Sequence, residues 1–168
     1  MRRALTLALT VVLAACVPQR EAPPPPPPVV TSAPTPVPAL PLPQGPWEDR
    51  PLTPGTWRYA PVAGGSEARF GAPGVERFSI RCDRSAGRIV LTRPAATGRA
   101  MTVRTTSTTR AVAAQPLAGA VTAALAPNDP LLDAIGFSRG RFAVETPGAP
   151  GLVLPAWAEV LRVTEDCR

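Results

Sequence analysis

Six consecutive prolines occupy positions 23–28, and 13 of the chain's 24 prolines fall between residues 17 and 46. Proline fixes φ and has no N–H to give to a helix or a ladder, so this stretch is expected as disordered, extended polyproline II. Any tertiary structure must therefore be built from residues 47–168, a length ample for one hydrophobic core. At ~3.1 Å per residue, some 30 residues reach on the order of 90 Å. Residues 16–46 are read as a tether of that kind, a spacer in preference to a Pro-x-x-Pro ligand.

Within residues 47–168 the apolar pattern has period two in most places, which is the signature of half-buried strands. Trp57-Arg58-Tyr59-Ala60 starts it, and Ala63-Gly64-Gly65-Ser66 turns the chain into a second strand over 67–70. Phe78, Ile80 and Cys82 alternate with Arg77, Ser79 and Arg81, and a turn over 83–87 returns the chain through Ile89 and Leu91. Met101, Val103 and Thr105 mark a further strand, paired with 109–114. Val121, Ala123 and Leu125 alternate again, with helix as a competitor because alanine is abundant there. Asn128-Asp129-Pro130 reads as a helix start with Asp129 as N-cap, Leu131, Leu132 and Ile135 packed inward, and Gly136 as the stop. A hairpin over 141–154 and a second helix follow. That helix is expected from Pro155, with Trp157, Val160, Leu161 and Thr164 on one face. Its Glu159, Arg162 and Asp166 are spaced for exposed ion pairs. The fold class expected is mainly β with two short helices, a small antiparallel β-sandwich or partial barrel.

The N-terminus carries an address. Arg2 and Arg3 precede an apolar run over 4–13, too short to cross roughly 30 Å of hydrocarbon, and small residues follow. Leu13-Ala14-Ala15-Cys16 resembles the lipobox of bacterial lipoproteins. The resemblance implies a signal peptide over 1–15, a diacylglyceryl thioether on Cys16, and cleavage that makes Cys16 the first mature residue. Several acyl chains on that residue would hold the protein stably on a membrane. Val17 stands where inner-membrane lipoproteins of that group carry Asp, so the implied destination is the outer membrane, facing periplasm or surface. With Cys16 acylated, Cys82 and Cys167 remain, an even pair in an oxidising compartment, and they are expected to form a disulfide that closes the domain.

Composition narrows the chemistry. The chain has no histidine and no lysine, and after residues 1–15 it has 16 arginines against 12 acids. Most triads, zinc sites and neutral-pH general bases use histidine. No cofactor fingerprint, phosphate loop or metal-ligand spacing is present. The reading is of a protein that is not an enzyme, with no cofactor and no metal. Asp129 and Asp133 share a helix face, and they are read as an N-cap and a dipole-favoured acid rather than catalytic carboxylates. Arg139 and Arg141 flank Gly140, while Arg81 and Arg88 sit around another hairpin. Both pairs are candidates for binding an anion, on lipid, peptidoglycan or an acidic envelope protein. Nucleic acid is not expected in this compartment.

The run from Asp129-Pro130-Leu131-Leu132-Asp133 through Phe137-Ser138-Arg139-Gly140-Arg141-Phe142 to Cys167 resembles proline-tethered envelope lipoproteins of proteobacteria, a likeness that carries no activity. A fainter similarity is to the membrane-bound lysozyme inhibitors and the invasion-associated locus B proteins, which also join a Cys-bearing strand to a late Cys. The inhibitors' active loop is not recognisable here. The function expected is a non-catalytic binding or structural module of the cell envelope; the alternative is an inhibitor of a lysozyme-like hydrolase.

Overall fold

A computed structural model describes residues 45–168. The leader, Cys16 and the proline-rich stretch up to residue 44 lie outside the described residues. A short 3-10 turn, Trp47–Asp49, leads into ten strands and two helices. All strand pairs are antiparallel and fall into two sheets that do not close into a barrel.

The larger sheet has the order β1-β2-β3-β4-β8-β7, from Thr56–Val62, Gly65–Ala72, Val75–Asp83, Arg88–Pro94, Ala120–Leu125 and Gln115–Leu117 respectively. The smaller has the order β10-β9-β5-β6, from Leu152–Pro155, Arg141–Glu145, Ala100–Arg104 and Thr109–Ala113. The alternation read from the sequence places Phe78, Ile80, Cys82, Ile89, Leu91, Val121 and Ala123 on the buried face of the large sheet. Met101, Val103, Phe142, Val144 and Leu154 join them from the small sheet in one contiguous core. The β-sandwich and the disulfide are thus both present. Cys82 bonds Cys167 with their Cα atoms 5.4 Å apart.

Trp57 ties the two sheets together. Its ring centroid lies 5.3 Å from that of Phe70, 6.3 Å from Phe78 and 6.5 Å from Phe142. Its indole N–H donates to the Pro155 carbonyl at 2.8 Å. Strand β7 was not anticipated. It forms a two-residue hairpin with β8 through Ala118 and Gly119, at φ 48° and 79°. Positive φ at both central residues is what such a turn requires, and alanine is a poor signal for it. The alternation at Val121, Ala123 and Leu125 is strand, not helix.

Helix α1, Pro130–Gly136, starts as the sequence predicts, with the Asp129 carboxylate accepting from the Leu131 amide at 2.8 Å. Gly136 is the last residue of the helix, as expected. It closes the helix without a left-handed φ, and a Cβ there would collide with Leu161 of α2. Helix α2, Ala158–Glu165, begins three residues later than expected. Pro155 instead ends β10, an edge strand, where a missing N–H is tolerated. Trp157, expected on the buried face, becomes the N-cap residue and is 46% exposed, while Val160, Val163 and Thr164 are the buried residues of the helix. The ion pairs expected within α2 are absent. Arg162 lies over the Tyr59 ring at 4.1 Å from its centroid, while Asp166 accepts from the Tyr59 hydroxyl at 2.6 Å.

Asp129 also receives the Arg110 guanidinium at 2.8 Å. That contact, seconded by the Leu131 amide and opposed by partial burial, holds its carboxyl below the ordinary carboxylate range. A depressed folded pKa stabilises the fold above the unfolded value, and the contribution fades as pH falls through the folded one. Asp129→Asn keeps an acceptor for the cap but loses the charge. At neutrality it is expected to cost up to about 1 kcal/mol. The difference from the native protein should begin to shrink as pH falls below roughly 4 and vanish only below the depressed folded value, as followed by thermal melts across pH.

Candidate functional site

The outward face of the large sheet carries a groove of about 800 Å³. Strand register builds its floor. One cross-strand row reads Glu67, Arg81, Val90, Ala124, and the next reads Arg69, Ser79, Thr92, Thr122, Gln115. Side chains two apart share a face, so the same alternation that buries Phe78, Ile80 and Cys82 sends Ser79, Arg81 and Asp83 into the groove. The floor runs from charged residues on β2 and β3 to small neutral ones on β8. There the β7 hairpin rises as a lip, with Leu117 63% exposed.

The charges alternate in sign. Glu67, only 8% exposed, pairs with Arg69, which reaches Glu76 at 3.4 Å as well. Held between two carboxylates, the Arg69 guanidinium is pushed above its ordinary value, first of all by its hydrogen bond to Glu67. Asp83 accepts from the Ser85 hydroxyl at 2.6 Å and the Ala86 amide at 3.1 Å, which keeps its carboxyl below the usual range. Arg88 stands 3.8 Å from Asp83. Arg81 donates to the Ala63 carbonyl at 3.2 Å. Three arginines therefore face three acids, and Arg81 with Arg88 forms half of a mixed-charge surface rather than a separate anion site.

Arg139 and Arg141 lie elsewhere and do not converge with them. Arg141 donates to the carbonyls of Glu48 and Arg50 at 2.9 and 3.0 Å, so its guanidinium clamps the segment by which the chain enters the domain. Trp47 secures the same segment by packing on Ala143 and Val153. Ser138 braces the turn by accepting from the Thr106 amide and donating to the Arg141 carbonyl. Arg139 remains exposed. Asp129 and Asp133 bond to Arg110 and Arg168 respectively, not to one another. Among the described residues no three His, Cys, Asp or Glu side chains gather as a metal set.

Three further arginines were not singled out by the sequence. Arg93 lies on the inward parity of β4, after Ile89 and Leu91, and is 5% exposed. Its guanidinium donates to the carbonyls of Arg77, Pro94 and Pro150 at 3.1, 2.9 and 3.0 Å and, among the described residues, meets no carboxylate. Arg77 and Arg50 line a cavity beside it. Inward parity at residue 93 was the available signal, since an arginine in that register has to be buried. Comparison of the chain with protein-family models, with curated proteins and with solved structures finds no match.

Proposed function

We propose that this chain is an outer-membrane lipoprotein, acylated at Cys16, whose sandwich is a non-catalytic module that binds the cell wall. The single observation in support of the binding role is the groove on the large sheet, which presents both signs of charge beside a floor of alanine and threonine. The peptide stems of peptidoglycan carry carboxylates and amines along one strand, so a surface of alternating Arg and Glu/Asp complements them better than a uniformly basic one. Complementary charge of this kind sets register and selects against the wrong partner.

Arg81→Glu with Arg88→Glu would leave five acids against one arginine in that groove. The double variant is expected to lose about tenfold or more in co-sedimentation with purified sacculi, since each charge-assisted contact contributes ~1.5–3 kcal/mol. Circular dichroism should be unchanged, because both side chains point to solvent. Native protein that stays in the supernatant overturns this function. If excess native protein instead suppresses lysozyme activity, the inhibitor reading takes its place.

A further inference from the structure

The segment over 50–54 runs beside β10, joined to it by the Thr53 amide on the Val153 carbonyl at 2.8 Å and the Val153 amide on the Thr53 hydroxyl at 3.0 Å. Between this segment, the turn at Pro150 and the start of β3 lies a cavity of about 490 Å³. Its walls are Pro51, Leu52, Pro54 and Leu152 on the apolar side, with Arg50 and Arg77 on the polar side. Arg93 stands directly behind, bonded to the carbonyls of Arg77 and Pro150.

The charges here do not balance. Among the described residues neither Arg77 nor Arg93 has an acidic partner within ion-pair distance, and the Nε atoms of Arg50, Arg77 and Arg93 are all buried without an acceptor. Glu145 is the acid that pairs with Arg50; it lies 3.5 Å from it and gives its other oxygen to Arg104 at 3.0 Å. Carbonyl oxygens satisfy hydrogen bonds without neutralising charge. Burial, with Arg77 adding repulsion, accordingly pushes the Arg93 guanidinium below arginine's ordinary value. The buried Arg93 charge, with the half-buried Arg77 beside it and neither matched by an acid, is costly to leave uncompensated, and a multivalent oxyanion accepting from guanidinium N–H groups is its natural complement.

We infer that the cavity framed by Arg50 and Arg77, with Arg93 behind it, is a binding site for a phosphate group. The apolar wall beside the arginines suits the ester side of a glycerol phosphate, so a phospholipid headgroup or free phosphate could supply the group. The site lies apart from the groove on the large sheet, and its failure would leave the reading of that groove untouched.

The test is calorimetric titration of the full lipoprotein in neutral detergent at low ionic strength. Inorganic phosphate and glycerophosphoglycerol, the headgroup without its acyl chains, serve as probes. Saturable binding of either probe is expected, weakened about tenfold or more in Arg77→Gln and again in Arg50→Gln, each of which removes one charge-assisted partner. Tighter binding of the headgroup assigns the site to lipid, and equal or tighter binding of phosphate assigns it to the free ion. The inference is overturned if neither probe binds. It is equally overturned if both variants bind as the native protein does. The Arg50 side chain is 33% exposed and lies outside the strands, so its variant decides the matter if Arg77→Gln does not fold.

Discussion

Replacing Cys82 and Cys167 together by alanine is expected to destabilise the domain by about 4–5 kcal/mol, because the bond closes a loop with a sequence separation of 85 residues. A domain of this size has a net stability on the order of 5–15 kcal/mol, so the loss removes a large part of it. The bond joins the end of β3 to the turn after α2, and α2 covers the part of the large sheet's inner face where Val160 and Val163 are buried. Without the bond α2 keeps its apolar contacts but has no covalent hold on the sheet. The expected drop in thermal midpoint is on the order of 15 °C or more, and excess reductant should give native protein the same loss. A change of under about 1 kcal/mol would show that the bond is dispensable.

Trp57→Ala should do comparable damage by another route. The indole is buried, meets three phenylalanine rings drawn from both sheets, and gives its N–H to a buried carbonyl. Truncating a core tryptophan typically costs about 3–5 kcal/mol, and the abandoned Pro155 carbonyl adds about 1–3 kcal/mol more. Trp57→Phe separates the two contributions, since it retains an aromatic ring and removes only the donor along with part of the volume. Its expected cost is about 1–3 kcal/mol, measured by denaturant unfolding. Equal losses in the two variants would show that the retained phenyl ring contributes nothing and that the effect lies in the N–H and its ring.

Much of this architecture was legible because alternation in the sequence survives into the sheets. Phe78, Ile80 and Cys82 face inward with Ile89 and Leu91 opposite, as their spacing requires. Asp129-Pro130 starts a helix because capping is local chemistry, decided by the residues on either side. What escaped the sequence depended on contacts distant along the chain. Arg162 abandons its own helix for the face of Tyr59, 103 positions earlier. Gly136 is small because Leu161 needs the room. Arg141, read as half of an anion-binding turn, holds the backbone at Glu48 and Arg50 instead. The groove combines strands β2, β3, β4, β7 and β8, and the order β4-β8-β7 brings together segments that no short motif connects. Arg93 was the one buried charge whose parity was visible beforehand, in the same strand that correctly placed Ile89 and Leu91.

The proposal that this sandwich works at the bacterial outer membrane rests on a single sulfur atom. Mass spectrometry of the N-terminal peptide of protein isolated from its native envelope tests it most directly. The account predicts a peptide beginning at Cys16, its sulfur in a thioether to diacylglycerol and its amine acylated or free. A free thiol at Cys16, or a peptide that still carries residues 1–15, would contradict it.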